Sequence, residues 1–435
     1  MDNNHKRMLR RAVVASVVGA TVEWYDFFLY GTVAGIVFNK LYFPTQDPHL
    51  STLLAYTTFA VGFITRPLGG IVFGHFGDKI GRKSMLILTL MIMGTATVLI
   101  GLVPTYEQIG IWAPIVLLLL RVCQGIGLGG EWGGAVLMTF EYASPARRGF
   151  YGSLPQVGMA LGLCLGAGAV GALSYFLNDQ QFLSWGWRIA FLMSIVLIVI
   201  GLWIRVNVME TPEFQNVKKQ KAESRMPFAD MWRNYKANVI AGMGARYIEG
   251  VFFNIFAVFS LNYLTQTVKV DRTDALTGVL LASMLMCLTI PLYGHLSDRF
   301  GRAKVFFLGS LITGLSVFPA FWLMNNNGGN TSLVWLAIIV PFGIFWPSVY
   351  GPEAALFSEL FDAKVRYTGI SFVYQFSGIF ASGLTPIIAT ILLKYNNDDP
   401  MLICTYVAFT GIVSCLASAW IGYRRQPTES IGLAA

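Results

Sequence analysis

Charge is scarce in these 435 residues: 12% are Asp, Glu, Lys or Arg, against 55% apolar and a mean hydropathy of +0.59. That balance excludes an ordinary soluble domain, in which about a quarter of the residues are charged. Histidine is scarcer still. His5, His49, His75 and His295 all lie at the terminus or in predicted loops, so no catalytic or zinc cluster is expected inside the apolar segments. The five cysteines, Cys123, Cys164, Cys287, Cys404 and Cys415, fall within apolar segments without metal-ligand spacing. They read as small core residues, with no disulfide and no metal expected. The glycines of G-x-G-x-G-G at 125–130 follow no strand, which makes a poor nucleotide motif but a good surface for close helix packing. No cofactor and no nucleic-acid partner are expected. The basic N-terminus runs into an apolar stretch that continues through Glu23 and Asp26 without a small-residue cleavage site, so the first span is expected to be retained.

What the chain does have is length in its apolar runs. Twelve segments reach the ~18 residues a helix needs to cross a hydrocarbon core roughly 30 Å thick. They lie near 11–38, 51–74, 84–103, 112–141, 150–177, 187–208, 237–264, 275–296, 304–324, 333–358, 367–393 and 401–423. The loop G-H-F-G-D-K-I-G-R-K at 74–83 returns as G-H-L-S-D-R-F-G-R at 294–302, and the pair Glu141 and Arg148 returns as Glu359 and Arg366. A loop used twice marks a unit used twice. The expected fold is an all-α integral membrane protein of twelve transmembrane helices in two pseudo-symmetric six-helix halves, residues 1–209 and 237–435. A solvated linker, 210–236, carries Lys218, Lys219, Lys221, Glu223 and Arg225. Basic residues crowd alternate loops, and the positive-inside rule then places both termini and the linker in the cytoplasm.

Charges within the spans point to the working centre, because each costs at least ~2.5–3.5 kcal/mol unless it finds a partner or an aqueous cavity. Glu23, Asp26 and Tyr30 share one face of span 1. Arg121, on span 4, lies roughly 13 Å below the outer surface by helical rise, close to the level of Asp26. An Asp26–Arg121 pair is the expectation, either as a structural tie or as a proton switch. Gln124 and Glu131 share a face with Arg121, and Glu131, nearer the cytoplasmic end, suits a gate or a structural role. In the second half, Arg246, Glu249 and Asn254 lie on span 7, and Trp346, Tyr350 and Glu353 on one face of span 10. If Arg246 pairs with Glu249 or Glu353 it is structural; if it is left free it anchors a substrate carboxylate. The two aromatic residues of span 10 pack, or together wall a cavity.

The loop at 74–83 closely resembles the signature loop of the major facilitator superfamily, and 294–302 its degenerate second copy. R-V-C-Q-G-I-G-L-G-G at 121–130 is similar to that superfamily's span 4 motif, whose arginine is associated with proton coupling. More narrowly, W-Y-D-F-F-L-Y at 24–30, T-R-P-L-G-G at 65–70, G-G-E-W-G-G at 129–134, F-L-S-W-G-W-R-I at 182–189 and V-R-Y-T-G-I-S at 365–371 resemble the metabolite:proton symporters. Members of that family take up shikimate, 2-oxoglutarate, citrate, or proline and betaine, and the shikimate-type branch resembles this chain most. The resemblance implies monomeric alternating access. It also implies that Asp78 and Arg82 tie the cytoplasmic ends of the spans together, with Glu141 meeting the loop arginine. Asp78, Arg82, Glu141, Arg148, Asp298, Arg302, Glu359 and Arg366 all fall at one expected membrane face, where they form a cytoplasmic gate or serve only as topology determinants. Only about a dozen residues follow span 12, which disfavours an osmosensor with a long C-terminal coiled coil.

The expectation is therefore a bacterial inner-membrane symporter for a small organic acid and a proton. Asp26, Arg121 and Glu23 would couple the proton. Arg246, Gln124, Tyr30, Trp346, Tyr350, Glu249 and Asn254 would face the substrate. A zwitterion symporter of the proline and betaine type, or an exporter or uncoupled facilitator, is the alternative. A carboxylate, a zwitterion and a hydroxylated ring acid all suit an arginine beside aromatics.

Overall fold

In hydrocarbon every backbone N–H and C=O must be bonded within the protein, so apolar runs of this length fold as helices. The computed structural model describes residues 3–80, 82–206, 227–362 and 365–424, without the side chains at 3–6, 74–86, 138, 204–206, 227 and 229–230. It is helical, with no strand among the described residues. Among the described residues, ten stretches are long and apolar enough to span a bilayer: Arg7–Leu41 (span 1), Trp112–Tyr142 (span 4), Pro145–Phe176 (span 5), Asp179–Trp203 (span 6), Met231–Thr267 (span 7), Arg272–Phe300 (span 8), Arg302–Asn325 (span 9), Thr331–Ser358 (span 10), Arg366–Tyr395 (span 11) and Met401–Arg424 (span 12). Pro48–Ile64 continued by Arg66–Ile80 forms span 2, and Arg82–Leu102 forms span 3. The chain is thus the expected twelve-helix bundle. Residues 210–226 of the expected linker lie outside the described residues. The helix Pro227–Asn254 bends at Tyr235 (φ −125°, ψ 19°), which sets a short leading segment off from span 7.

The spans are not uniform rods. Span 2 is interrupted at Thr65 and span 4 at Gly130 and Glu131. Spans 1 and 7 each widen into a π turn past their charged residues, at Ala34–Phe38 and Ile255–Phe259. Such interruptions leave carbonyls free and are tolerated at membrane depth only where protein or a cavity takes them up.

Glycine decides two helix crossings. A Cβ on Gly129 would lie 2.0 Å from the Arg66 carbonyl oxygen, and one on Gly125 would lie 2.3 Å from that of Gly62. Spans 2 and 4 therefore touch backbone to backbone, the close-packing role the glycine run suggests. Across the halves, span 5 meets span 8 at Gly149, where a Cβ would lie 2.5 Å from the Gly294 oxygen.

Candidate functional site

Span 1 divides its two acids between two environments. Glu23 borders a central cavity. Asp26, three residues on, turns away from it and accepts a 2.6 Å hydrogen bond from the Ser194 hydroxyl on span 6, with Thr97 of span 3 alongside. Its Oδ2 has no hydrogen-bond partner. Arg121 lies instead over the rings of Phe27 (4.0 Å) and Tyr30 (4.3 Å), and its Nη1 donates to Gln124 Oε1 at 2.9 Å. The expected Asp26–Arg121 ion pair does not form. Arg121 of span 4 packs on the Phe27 and Tyr30 rings of span 1, one and four residues after Asp26, whereas the Asp26 carboxylate points to Ser194 of span 6. A neutral chain joins their surroundings: Gln124 Nε2 donates to Thr97 Oγ1 at 2.7 Å, and Thr97 borders Asp26. Tyr30 is tied to Thr58, donating at 2.7 Å.

In the second half the free-cation expectation for Arg246 fails on geometry. Its Nε lies 3.4 Å from Glu249 and 3.7 Å from Glu353, and its guanidinium covers the Tyr374 ring at 3.8 Å. Two carboxylates already occupy it. Trp346 donates to the Glu249 carbonyl at 2.9 Å and stacks on Tyr350 at 4.7 Å, while Asn254 donates to the Gly250 carbonyl of its own helix at 2.8 Å.

The cavity lies between the halves, lined from the first by Glu23, Arg66, Trp132 and Gln156 and from the second by Tyr350, Tyr374 and Gln375. Of the residues expected there, Glu23 and Tyr350 reach its wall, whereas Arg246, Gln124, Tyr30, Trp346, Glu249 and Asn254 do not line it. The wall also holds a residue that the charge reading passed over. Arg66 is buried, and its guanidinium covers the rings of Phe27 (4.0 Å) and Phe63 (4.1 Å). The signal was available, since Arg66 sits in the middle of an apolar run just as Arg121 does.

Towards the basic face the cavity is floored by Trp132 of the first half, stacked on Tyr374 of the second with centroids 3.7 Å apart and planes 9° apart. The break in span 4 makes this join. With the helix interrupted after Gly129, Gln375 donates to the Gly129 carbonyl at 3.2 Å and Tyr367 to that of Gly130 at 3.1 Å. Beyond the floor, Asp298 accepts from the backbone N–H groups of Gly149 (2.7 Å) and Phe150 (2.9 Å). The second half thus caps the first turn of span 5 in the first half. Arg366 reaches Glu141 at 3.9 Å, Arg302 pairs with Glu359, and Arg148 covers Phe140. Asp78 and Arg82, expected in the same latch, have side chains outside the described residues. On the opposite face Lys394 bonds Asp47 at 2.8 Å and Arg272 bonds Asp179 at 2.7 Å, again half to half. Lys394 and the backbone N–H of His49 hold the exposed Asp47 carboxyl below its usual range.

Two helical halves that meet around a cavity reached by Glu23, Arg66, Glu131 and Gln156, and latched at both faces of the bundle, define a carrier. The description "Sugar (and other) transporter" matches residues 11–245, and "Major Facilitator Superfamily" matches residues 247–433. The shikimate transporter of Escherichia coli (strain K12) is 42% identical over 414 residues, 94% of this chain and 93% of that protein. The proline/betaine transporter of the same strain is 33% identical over 417 residues, 94% of this chain and 82% of the other. Among solved structures, a proton:xylose symporter bound to 6-bromo-6-deoxy-D-glucose superposes with a TM-score of 0.74 at 16% identity, covering 97% of each chain. The chain belongs to the major facilitator superfamily and is a multi-pass membrane transporter, not an enzyme.

Proposed function

We propose that this protein imports a small polar organic acid together with a proton across the bacterial inner membrane. It acts as a monomer, with the basic face and both termini in the cytoplasm. The halves, 1–209 and 237–435, rock about the 210–236 connection, so that the latches at the two faces open in turn. The observation that carries the reading is Asp26, a buried carboxylate with one oxygen held by Ser194, the other without a hydrogen-bond partner, and no ion pair. A proton cancels such a charge without needing further ligands. Loading it alters the Ser194 and Thr97 contacts, and through Thr97 and Gln124 the setting of Arg121. Glu23 stands three residues away on the cavity wall and links that proton site to the substrate. An organic acid as cargo follows the relative named a shikimate transporter.

A second reading has an observation of its own. Trp24 and Trp132 line the cavity together with Glu23 and Glu131, and aromatic faces beside acids receive quaternary ammonium groups. That would suit a zwitterion, the cargo class in the name of the proline/betaine relative.

Proteoliposomes test the coupling. With an acidic exterior, a radiolabelled acid should accumulate above its external concentration, and a protonophore should abolish that accumulation. Equilibration to equal concentrations at any pH gradient would identify a facilitator and sink the symport reading.

A further inference from the structure

Three buried arginines crowd the centre of the molecule, and they differ in what their N–H groups meet. Arg121 donates to Gln124, and Arg246 lies between two glutamates. Arg66 has neither. Phe27 and Phe63 cover the faces of its guanidinium plane, but Nε and Nη2 have no hydrogen-bond partner. Ring stacking satisfies the face of a guanidinium, not the N–H edge, which calls for a planar pair of acceptors.

The same cavity holds more unmet capacity. Gln156, 2% exposed, has no partner for its amide nitrogen or its amide oxygen. Tyr350, 1% exposed, has none for its hydroxyl, and the Trp132 indole N–H has none either. Buried polar atoms are left open in this way where something else completes them. A charged fork, an amide with a donor and an acceptor, a phenol and an indole N–H describe one kind of guest: a carboxylate at one end and hydroxyl groups, each both donor and acceptor, at the other. A betaine would answer Arg66 but offers no hydrogen to the Gln156 oxygen. A second carboxylate would meet Glu23 and Glu131.

We propose that Arg66, Gln156 and Tyr350 form the substrate site, and that its substrate is a small hydroxylated monocarboxylate, the carboxylate on Arg66 and the hydroxyls on Gln156 and Tyr350. The proposal rests on the carrier reading above but not on proton coupling, so the two fail separately.

The test is equilibrium binding to the purified full-length protein in lipid nanodiscs. The probes are shikimate, quinate and gluconate, with shikimate methyl ester, cyclohex-1-ene-1-carboxylate and glycine betaine as comparators. At least one hydroxylated acid should bind tenfold or more tightly than glycine betaine. For shikimate, loss of the charge in the ester or of the hydroxyls in the cyclohexene acid should each cost about tenfold. Arg66→Gln should lower shikimate affinity about 30-fold or more and bring acid and ester within twofold of each other. Gln156→Leu should weaken shikimate but leave the cyclohexene acid within twofold. If no hydroxylated acid binds, or glycine betaine binds more tightly than all three, the substrate class is wrong. If Arg66→Gln weakens acid and ester equally, Arg66 is framework. Should Arg66→Gln not fold, the wild-type ligand series decides alone. A profile as expected, without pH-driven uptake, would refute symport and leave this site standing.

Discussion

Arg121 in the first half lies among Phe27, Tyr30 and Gln124, while Arg246 in the second lies between Glu249, Glu353 and Tyr374. One is held by rings and an amide, the other by carboxylates. In the first half the nearest acid of span 1, Asp26, is kept apart from the arginine and joined to its surroundings only through neutral side chains. An arrangement of that kind can change with one proton, because neither charge is committed to the other. The second half is a clamp: two carboxylates on spans 7 and 10 closing on one guanidinium hold those spans in register, and separating them strands buried charge. On the proposed function, switching belongs to the first half and rigidity to the second, and Arg66 of span 2 lines the cavity.

The largest effect expected from breaking this contrast is on stability. Arg246→Ala should cost about 3–5 kcal/mol, the usual penalty for leaving buried carboxylates without their partner. Thermal unfolding of the purified protein reads this. What survives should keep the wild-type preference for acid over ester; a collapse of that preference would restore Arg246 as the substrate anchor. Arg121→Lys should cost less, about 1–2 kcal/mol, since an ammonium reproduces neither the ring stacking nor the planar fork. Exchange of substrate between liposome compartments should fall with it. If Arg121→Lys matched Arg246→Ala, the two arginines would be equally fixed and the contrast would fail.

Asp298→Asn tests the latch at the basic face. The amide keeps the shape but loses the charge at the first turn of span 5, a loss of about 1 kcal/mol. A cysteine placed at Ala135 on the cavity wall should then react faster with an impermeant thiol reagent applied from the basic face. Unchanged labelling would reduce Asp298 to a topology signal. The smallest effect is at the opposite face, where Lys394→Ala removes an exposed pair worth little in water. Because Asp47 has a lowered pKa, its contribution is present above the ordinary carboxylate range and is lost as pH falls through the lowered value. Wild type and Lys394→Ala should therefore open this face equally in strong acid, and should differ slightly at pH 7.

The twelve spans and the paired halves were legible in the sequence because run length and repeated loops are one-dimensional signals. That Arg121 meets the same stretch of span 1 as Asp26 was legible too, through helical rise. Their pairing was not, because the azimuth of a side chain depends on which neighbours surround span 1, and Ser194 lies 168 residues away from Asp26. The same limit applies to Arg246: charge counting found the cation and both acids, and only packing decided that Glu249 and Glu353 close on it together. The break after Gly129 hides within the glycine run, which signals close packing but not that Gln375 and Tyr367 of span 11 take the freed carbonyls. Arg66 shows the opposite failure, a residue visible by the rule applied to Arg121 but read as part of a motif.

The central claim is that Asp26, uncommitted to Arg121, carries the coupled proton. It is tested most directly by Asp26→Asn in proteoliposomes, measuring accumulation driven by a pH gradient and counterflow without one on the same preparation. The account predicts that accumulation vanishes while counterflow persists, because the amide keeps the Ser194 contact but cannot exchange a proton. Accumulation against a gradient by Asp26→Asn would contradict it.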